Sequence, residues 1–171
     1  MATRWRDERA LVRGAQAGSA VALEELFRLH WSSAHRAAYL VVHDAAAAED
    51  IAQEAFLAAI RSLDRFDRRR PFAPWLHRIV VNRAIDWSRA RALRAETGLA
   101  DSLPASERDA DTLDRSVVMA IGALPPEHRA VIVLRHLLEY TPGEIAELLG
   151  LPRGTVNSRL RRGLDSLKES V

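Results

Sequence analysis

ALPPEHRAVIVLRHLLEYTPGEIAELLGLPRGTVNSRLRRGLDSL, residues Ala123–Leu167, is the stretch whose reading decides the fold. Within it Thr141-Pro142-Gly143-Glu144 has the form of a capping box: the threonine side chain accepts from the amide three residues on, and the glutamate reaches back to the cap amide. Pro142 then falls at the first helical position, where its missing N–H costs nothing. Ile145, Leu148 and Leu149 follow at i, i+3, i+4 spacing, and Gly150 supplies a left-handed C-cap. After a turn at Leu151-Pro152 comes a second amphipathic segment, with Val156, Leu160, Leu164 and Leu167 on one face. Its other faces carry Arg153, Asn157, Ser158, Arg159, Arg161 and Arg162. A short capped helix, a glycine-containing turn and a basic second helix predict a helix-turn-helix. Arginine and asparagine suit it, since both pair bidentately with purine edges in the major groove. An arginine-rich helix that only solvates the end of a bundle would show the same local pattern, so the rest of the chain has to decide.

Immediately upstream, Leu113, Val117, Ile121 and Leu124 form a stripe ending at Pro125-Pro126. Glu127 to Leu138 reads as a further helix containing Val131, Leu134, Leu137 and Leu138. These two give the helix-turn-helix a core to dock on, in a segment of about 55 residues, small but feasible for a helical domain.

The chain before residue 96 is also helical in pattern. Asp7 to Ala17 places Leu11, Val12 and Ala15 on one side and stops at Gly18. Ser19 can cap a longer helix with Leu23, Leu26, Phe27, Ala34, Ala38 and Val41 in its apolar stripe. Asp44 can cap the next, running through Ser62 with a core stripe of Ile51, Ala55, Phe56, Ala59 and Leu63. On the opposite face Asp50, Gln53, Glu54 and Leu57 align at i, i+3, i+4, i+7. An acidic-polar row with one apolar anchor suits a basic protein partner better than DNA, whose phosphates would repel it; a plain solvated face is the competing reading.

Asp67-Arg68-Arg69-Arg70-Pro71-Phe72-Ala73-Pro74 breaks the helical pattern as a basic loop, and Pro74 can open a helix from Trp75 to about Arg94. Arg78, Asn82, Asp86 and Arg89 run along one side of it, joined by Arg83 and Arg91. Arginines interleaved with Phe72, Trp75 and Trp87 suit single-stranded nucleic acid, where bases stack on rings and arginines hold phosphates. Tryptophans at helical spacing are usually core, and Trp75 is expected to be mainly packing. Residues 94–112, with Gly98, Pro104, two serines and an acidic excess, read as an extended or disordered linker.

Composition excludes several classes. With 48% hydrophobic residues the 171-residue chain can bury a core. The absence of cysteine excludes disulfides and thiolate metal sites. No run of about 18 apolar residues is present to span a bilayer. MATRWRDERA is too charged for a signal peptide, so a cytoplasmic protein without membrane insertion is expected. Net charge is +2, unevenly spread: residues 1–95 hold 16 Arg against 11 acids, residues 96–115 two Arg against six acids. His30 and His35 stand five apart and His128 and His136 eight apart, neither with the i, i+4 geometry of a helical metal clamp. No phosphate-binding glycine loop, GxSxG or GxGxxG occurs. No catalytic residue, metal or cofactor is expected, and the histidines read as surface or packing groups.

Taken together, the two halves resemble the extracytoplasmic-function group of bacterial sigma factors, the short members that keep two conserved regions. AEDIAQEAFLAAI (Ala48–Ile60) followed by FAPWLHRIVVNRAIDWSRAR (Phe72–Arg91) is similar to region 2. ALPPEHRAVIVLRHLLEYTPGEIAELLGLPRGTVNSRLRRGL (Ala123–Leu164) is similar to region 4. The resemblance implies an all-α fold of two small helical domains: 1–93 as region 2, 94–112 as an acidic flexible linker, and 113–171 as region 4, with no further C-terminal domain. It implies that Asp50, Gln53, Glu54 and Leu57 bind the clamp helices of the polymerase beta-prime subunit. It gives the −10 element, which such proteins melt while trapping a flipped base, to Arg68, Arg69, Arg70 and Phe72, then Arg78, Asn82 and Arg83. It gives the −35 element to Arg153, Thr155, Asn157, Ser158, Arg161 and Arg162, although many members have a basic residue where Asn157 stands. The implied partners are core RNA polymerase, through the beta-prime clamp helices and the beta flap, promoter DNA, and an anti-sigma factor. The competing function is a free-standing helix-turn-helix regulator that binds duplex DNA as a dimer; a metal-dependent nucleic-acid enzyme is a remote third.

Overall fold

Short polar side chains set the helix starts. The computed structural model describes residues 2–96 and 114–170, and in it α1 covers Ala2–Gln16. Gly18, at φ +88°, turns the chain into α2, Ala20–Val42, whose first turn is closed by Ser19 Oγ accepting from the Ala22 amide at 3.2 Å. His43, itself left-handed at φ 57°, ends α2. Asp44 then caps α3, Ala45–Ser62, accepting from the Ala47 amide at 3.0 Å. A single 3₁₀ turn, Leu63–Arg65, and a loop lead to α4, Phe72–Glu96. This helix starts two residues before Pro74, which is tolerated in the first turn because its amide would have no intrahelical partner. It also runs to residue 96, so residues 94–96 of the expected linker are helical; 97–112 lie outside the described residues, as does Leu113 of the expected stripe.

Helices α2, α3 and α4 pack against one another, and α1 covers α2. Their contact faces are rich in alanine: Ala34, Ala37 and Ala38 on α2, Ala48, Ala52, Ala55 and Ala59 on α3, Ala84 on α4, all buried. Small side chains let helix axes approach closely. Leu26, Val41, Leu76, Val80 and Val81 fill the remaining volume, each contributing about 1.5–3 kcal/mol by burial. Asp44 also accepts from Arg91 of α4 at 3.0 Å, so one carboxylate both caps α3 and ties it to α4. Asp44→Ala should destabilise the protein by about 1–2 kcal/mol in urea unfolding, and Asp44→Asn by less, since asparagine is an equally good cap. Equal losses would place the effect in the ion pair instead of the cap.

The second group begins with α5, Arg115–Ala123, and α6, Pro126–Ile132. The sequence predicts one helix through Leu138, but Val133–Leu137 forms a π turn, closed by Leu138 N–H to Val133 C=O at 3.1 Å. Glu139 follows at φ 59°, and the wider turn delivers Tyr140 to α4. Next come α7, Pro142–Leu149, and α8, Arg153–Ser170. The capping box forms in full: Thr141 N–H donates to Glu144 Oε2 at 2.8 Å, and the Glu144 amide donates to Thr141 Oγ1 at 3.3 Å. Gly150 ends α7 at φ 65°. One stripe needs correction. Leu164 is 36% exposed, and Gly163 takes the inner position, where a Cβ would lie 3.0 Å from Ile132 Cγ1. Helix α6 passes too close to α8 there for a side chain, so the inward face is Val156, Leu160, Gly163 and Leu167.

The fold is therefore all-α, in two helical domains. They also touch: α2 packs on α5, α6 and the π turn, and α4 packs on α6 and α7. Among the described residues no helix is long and apolar enough to cross a membrane.

Candidate polymerase and nucleic-acid surfaces

Asp50, Gln53, Glu54 and Leu57 all lie exposed on the outer face of α3, opposite Ile51, Ala55 and Phe56 in the core. Leu57 is 51% exposed, and two further exposed apolar side chains, one on α3 and one packed on Phe56 of α3, were placed elsewhere or left out by the sequence reading. Phe27, assigned to the α2 core stripe, is 41% exposed, and Ile60 is exposed as well. The Phe27 ring stacks on Trp31 at 4.8 Å and leans on Phe56 at 4.8 Å, so it is a fixed platform. Leu57 and Ile60 at i, i+3 carried a signal for a shared outer face; Phe27 did not, because i, i+4 spacing on α2 does not say where its neighbour helix ends.

The basic loop divides its arginines. Arg69 is held by Asp67, its Nε at 3.0 Å from Oδ1 and its Nη2 at 3.1 Å from Oδ2, while its own amide also donates to Oδ1 at 3.0 Å. The hydrogen bonds from Arg69 hold the Asp67 carboxyl below its usual range. Arg69 thus shapes the loop, whereas Arg68 and Arg70 are exposed beside it. Phe72 is a correction: at 4% exposure it packs on Phe66, Trp75 and His30, so its ring is core and offers no stacking face. Half-buried Trp75, packed on Phe66 at 4.7 Å, lines an open cleft with Arg65, Arg70 and Arg78. Arg78 is exposed, Asn82 half-buried, and Arg83 donates to Glu54 at 2.7 Å, so the basic face of α4 adjoins the acidic face of α3.

On α8, Arg153, Asn157, Arg161 and Arg162 are exposed and Thr155 and Ser158 half-buried, with Val156 and Leu160 turned inward. The polar residues form one outward face on a helix braced by α6 and α7.

A buried polar cluster was not anticipated. His77 is 5% exposed, with Nδ1 at 2.8 Å from the Tyr140 hydroxyl and Nε2 at 3.3 Å from Ser33 Oγ. Ser33 spends its one proton on the His30 carbonyl at 3.1 Å, so toward His77 it accepts. His77 therefore carries its proton on Nε2, and Tyr140 donates to Nδ1. Burial, with His30 nearby, depresses His77 to about 4, and burial, with the Glu144 and Glu8 charges, raises Tyr140, which keeps both groups neutral. Glu8 Oε1 sits 2.8 Å from His30 Nε2, off-axis for a hydrogen bond and an ion pair when that ring is protonated. Among the described residues no cluster of three potential ligands could hold a metal ion.

The sigma-70 region 2 family matches residues 26–94, and the sigma-70 region 4 family matches residues 114–167. The extracytoplasmic-function RNA polymerase sigma factor SigW of Bacillus subtilis (strain 168) is 31% identical over an alignment of 176 positions, gaps included, that covers 94% of this chain and 94% of SigW. SigM of Mycobacterium tuberculosis (strain ATCC 25618 / H37Rv) is 34% identical over 158 residues, 92% of this chain and 81% of SigM. CnrH, solved in complex with the cytosolic domain of CnrY, is 30% identical and superposes with a TM-score of 0.69 over 95% of this chain and 96% of CnrH. Both regions, in this order on this fold, define a promoter-specificity subunit of RNA polymerase. The chain belongs to the extracytoplasmic-function group of the sigma-70 family. It acts with core RNA polymerase on promoter DNA, and a free-standing dimeric regulator is not favoured.

Proposed function

We propose that three separate surfaces divide the work of initiation. Asp50, Gln53, Glu54 and Leu57, widened by Phe27 and Ile60, dock on the beta-prime clamp helices. Arg68, Arg70, Arg78, Asn82 and Arg83, with Trp75 in place of Phe72 and Arg69 as loop brace, take the −10 strand. Arg153, Thr155, Asn157, Ser158, Arg161 and Arg162 read the −35 duplex, with the beta flap holding this region on the enzyme. Residues 1–93 and 113–171 are the working units and 94–112 the tether, so binding by one raises the effective concentration of the other. The chain supplies no catalytic group or cofactor of its own, works in the cytoplasm beside the polymerase, and is held in reserve by an anti-sigma factor, as CnrH is solved with CnrY.

The observation that carries this reading is the exposed acidic row with Leu57 on a helix otherwise committed to the core. A dimeric duplex binder has no use for it. In vitro transcription with purified core polymerase on a promoter library tests the whole reading; no promoter-dependent initiation with any compatible core enzyme would sink it. Within it, Arg162→Ala should cost about 1–3 kcal/mol in promoter binding if the guanidinium makes a bidentate base contact. A loss equal for all −35 sequences would make Arg162 a phosphate contact.

A further inference from the structure

The loop proposed to take the −10 strand is gripped from the side by α1, a helix that carries none of the three working surfaces; the inference rests on that reading of the loop. Two tight turns build the segment between α3 and α4. The Phe66 amide closes the first on the Leu63 carbonyl at 3.0 Å, and the Arg70 amide closes the second on the Asp67 carbonyl at 2.9 Å. Helix α1 reaches both. Gln16 Nε2 donates to the Leu63 carbonyl at 2.8 Å and to the Phe66 carbonyl at 3.0 Å. Arg9 Nη2 donates to the Arg69 carbonyl at 3.0 Å. Arg9 and Gln16 stand at i, i+7, so a single face of α1 spans both turns.

Buried anchors hold that face still. Val12 is buried where α1 covers α2. At Gly14 the last turn of α1 closes on α2 so tightly that a Cβ would lie 2.9 Å from the Ala22 Cβ. Glu8, next to Arg9, is buried with Oε1 at 2.8 Å from His30 Nε2, and the His30 ring packs on Phe72, where the loop re-enters the core.

The loop itself needs this support. Leu63 and Phe66 are buried, but Asp67 through Pro71 are all exposed, including Arg68 and Arg70. A guanidinium on a loose backbone meets a phosphate wherever one comes near. Choosing among bases needs donors whose backbone is already placed when the strand arrives. We infer that Gln16 and Arg9 are positioning residues for −10 selection. They touch no DNA; they fix the carbonyls of Leu63, Phe66 and Arg69, so that Arg68 and Arg70 meet the strand in one register.

The test compares wild type with Gln16→Leu, Arg9→Met and the double variant, in the full chain and in holoenzyme. Leucine keeps about the size of glutamine without its donors, and methionine keeps the apolar stem of arginine. Amide hydrogen exchange follows local opening, so the Phe66 and Arg70 amides should exchange about tenfold faster in the double variant, with the buried interior of α4 unchanged. In transcription from promoters randomised in the −10 element, its preference for the favoured base should fall about tenfold, and that of Arg9→Met alone about threefold. Preference at −35 and affinity for core polymerase should stay at wild-type values. Arg9→Lys, which still donates, should recover most of the preference. Unchanged exchange at Phe66 and Arg70 overturns the brace, and faster exchange with unchanged −10 preference overturns positioning. Equal losses at −10 and −35, or weaker core binding, would make α1 a general support of the fold and overturn it too. Should Gln16→Leu fail to fold, Arg9→Met decides alone, its hydrogen bond lying at the surface. Arg68→Ala and Arg70→Ala test the loop itself. If these also leave −10 preference intact, the −10 reading has failed; if they alone flatten it, the loop stands and the brace falls.

Discussion

Leu57→Arg should lower affinity for core RNA polymerase by at least about thirtyfold, the loss of about 2 kcal/mol expected when an anchor at the centre of an interface is removed. Leu57 is exposed in line with Asp50 and Glu54, with exposed Ile60 one turn on along α3 and exposed Phe27 packed on Phe56 of the same helix. Arginine there replaces the apolar anchor with a charge and repels a basic partner surface. The fold should not notice: exposed substitutions away from special features stay within about 0.5 kcal/mol. Asp50→Ala and Glu54→Ala should each weaken binding less and more strongly at low salt, because rim charges act chiefly on encounter. Glu54→Ala has a second effect, releasing Arg83 from its 2.7 Å ion pair toward the neighbouring basic face. Titration of labelled protein with core enzyme at two salt concentrations separates these contributions. Normal binding by Leu57→Arg, with large losses for the two acids, would leave a purely electrostatic docking face.

What could be read from the residues was whatever local chemistry decides. Ser19, Asp44 and the Thr141–Glu144 box cap their helices as their side chains require, because each cap is settled within four residues. The acidic row on α3 was legible for the same reason: a helix face is a matter of spacing. Readings failed where a distant element decides. Phe72 reads as a loop aromatic, but the loop folds inward and Phe66, Trp75 and His30 close around it. Leu164 fits the apolar stripe of α8, yet the close crossing of α6 at Gly163 rotates the buried face away from it. The π turn after α6 has no periodic signature, since one extra residue in a turn leaves the hydrophobic spacing ambiguous. The His77–Tyr140 pair spans 63 residues and joins the two domains, and nothing in either neighbourhood marks it.

That pair carries the largest pH effect. From pH 6.5 to 4.5 the protein should lose about 2 kcal/mol of unfolding free energy through His77, the slope approaching about 1.4 kcal/mol per pH unit between the two values. In the unfolded chain the ring titrates near 6.5; in the folded chain burial, with His30 nearby, holds it at about 4. Below pH 6.5 the unfolded state binds a proton that the folded state refuses, so the contribution is fully present above 6.5 and drains away as pH falls toward 4. The geometry explains the refusal: Ser33 Oγ and the Tyr140 hydroxyl suit a neutral ring, and neither supplies a negative charge. Other groups that titrate here cancel in a comparison of variants. Asp67, Asp114, Glu127 and Glu144 all have depressed folded values, so they cost stability only as pH nears their ordinary values of 3.8 to 4.5, at the acid end of the window. His43, His128 and His136 are depressed in the same sense as His77 and remain in any His77 variant. The measurement is therefore a difference: urea unfolding of wild type and His77→Gln at half-unit steps across the window. Wild type should fall more steeply by the stated amount, and parallel curves would show that the ring is solvated and that Tyr140 is not docked upon it.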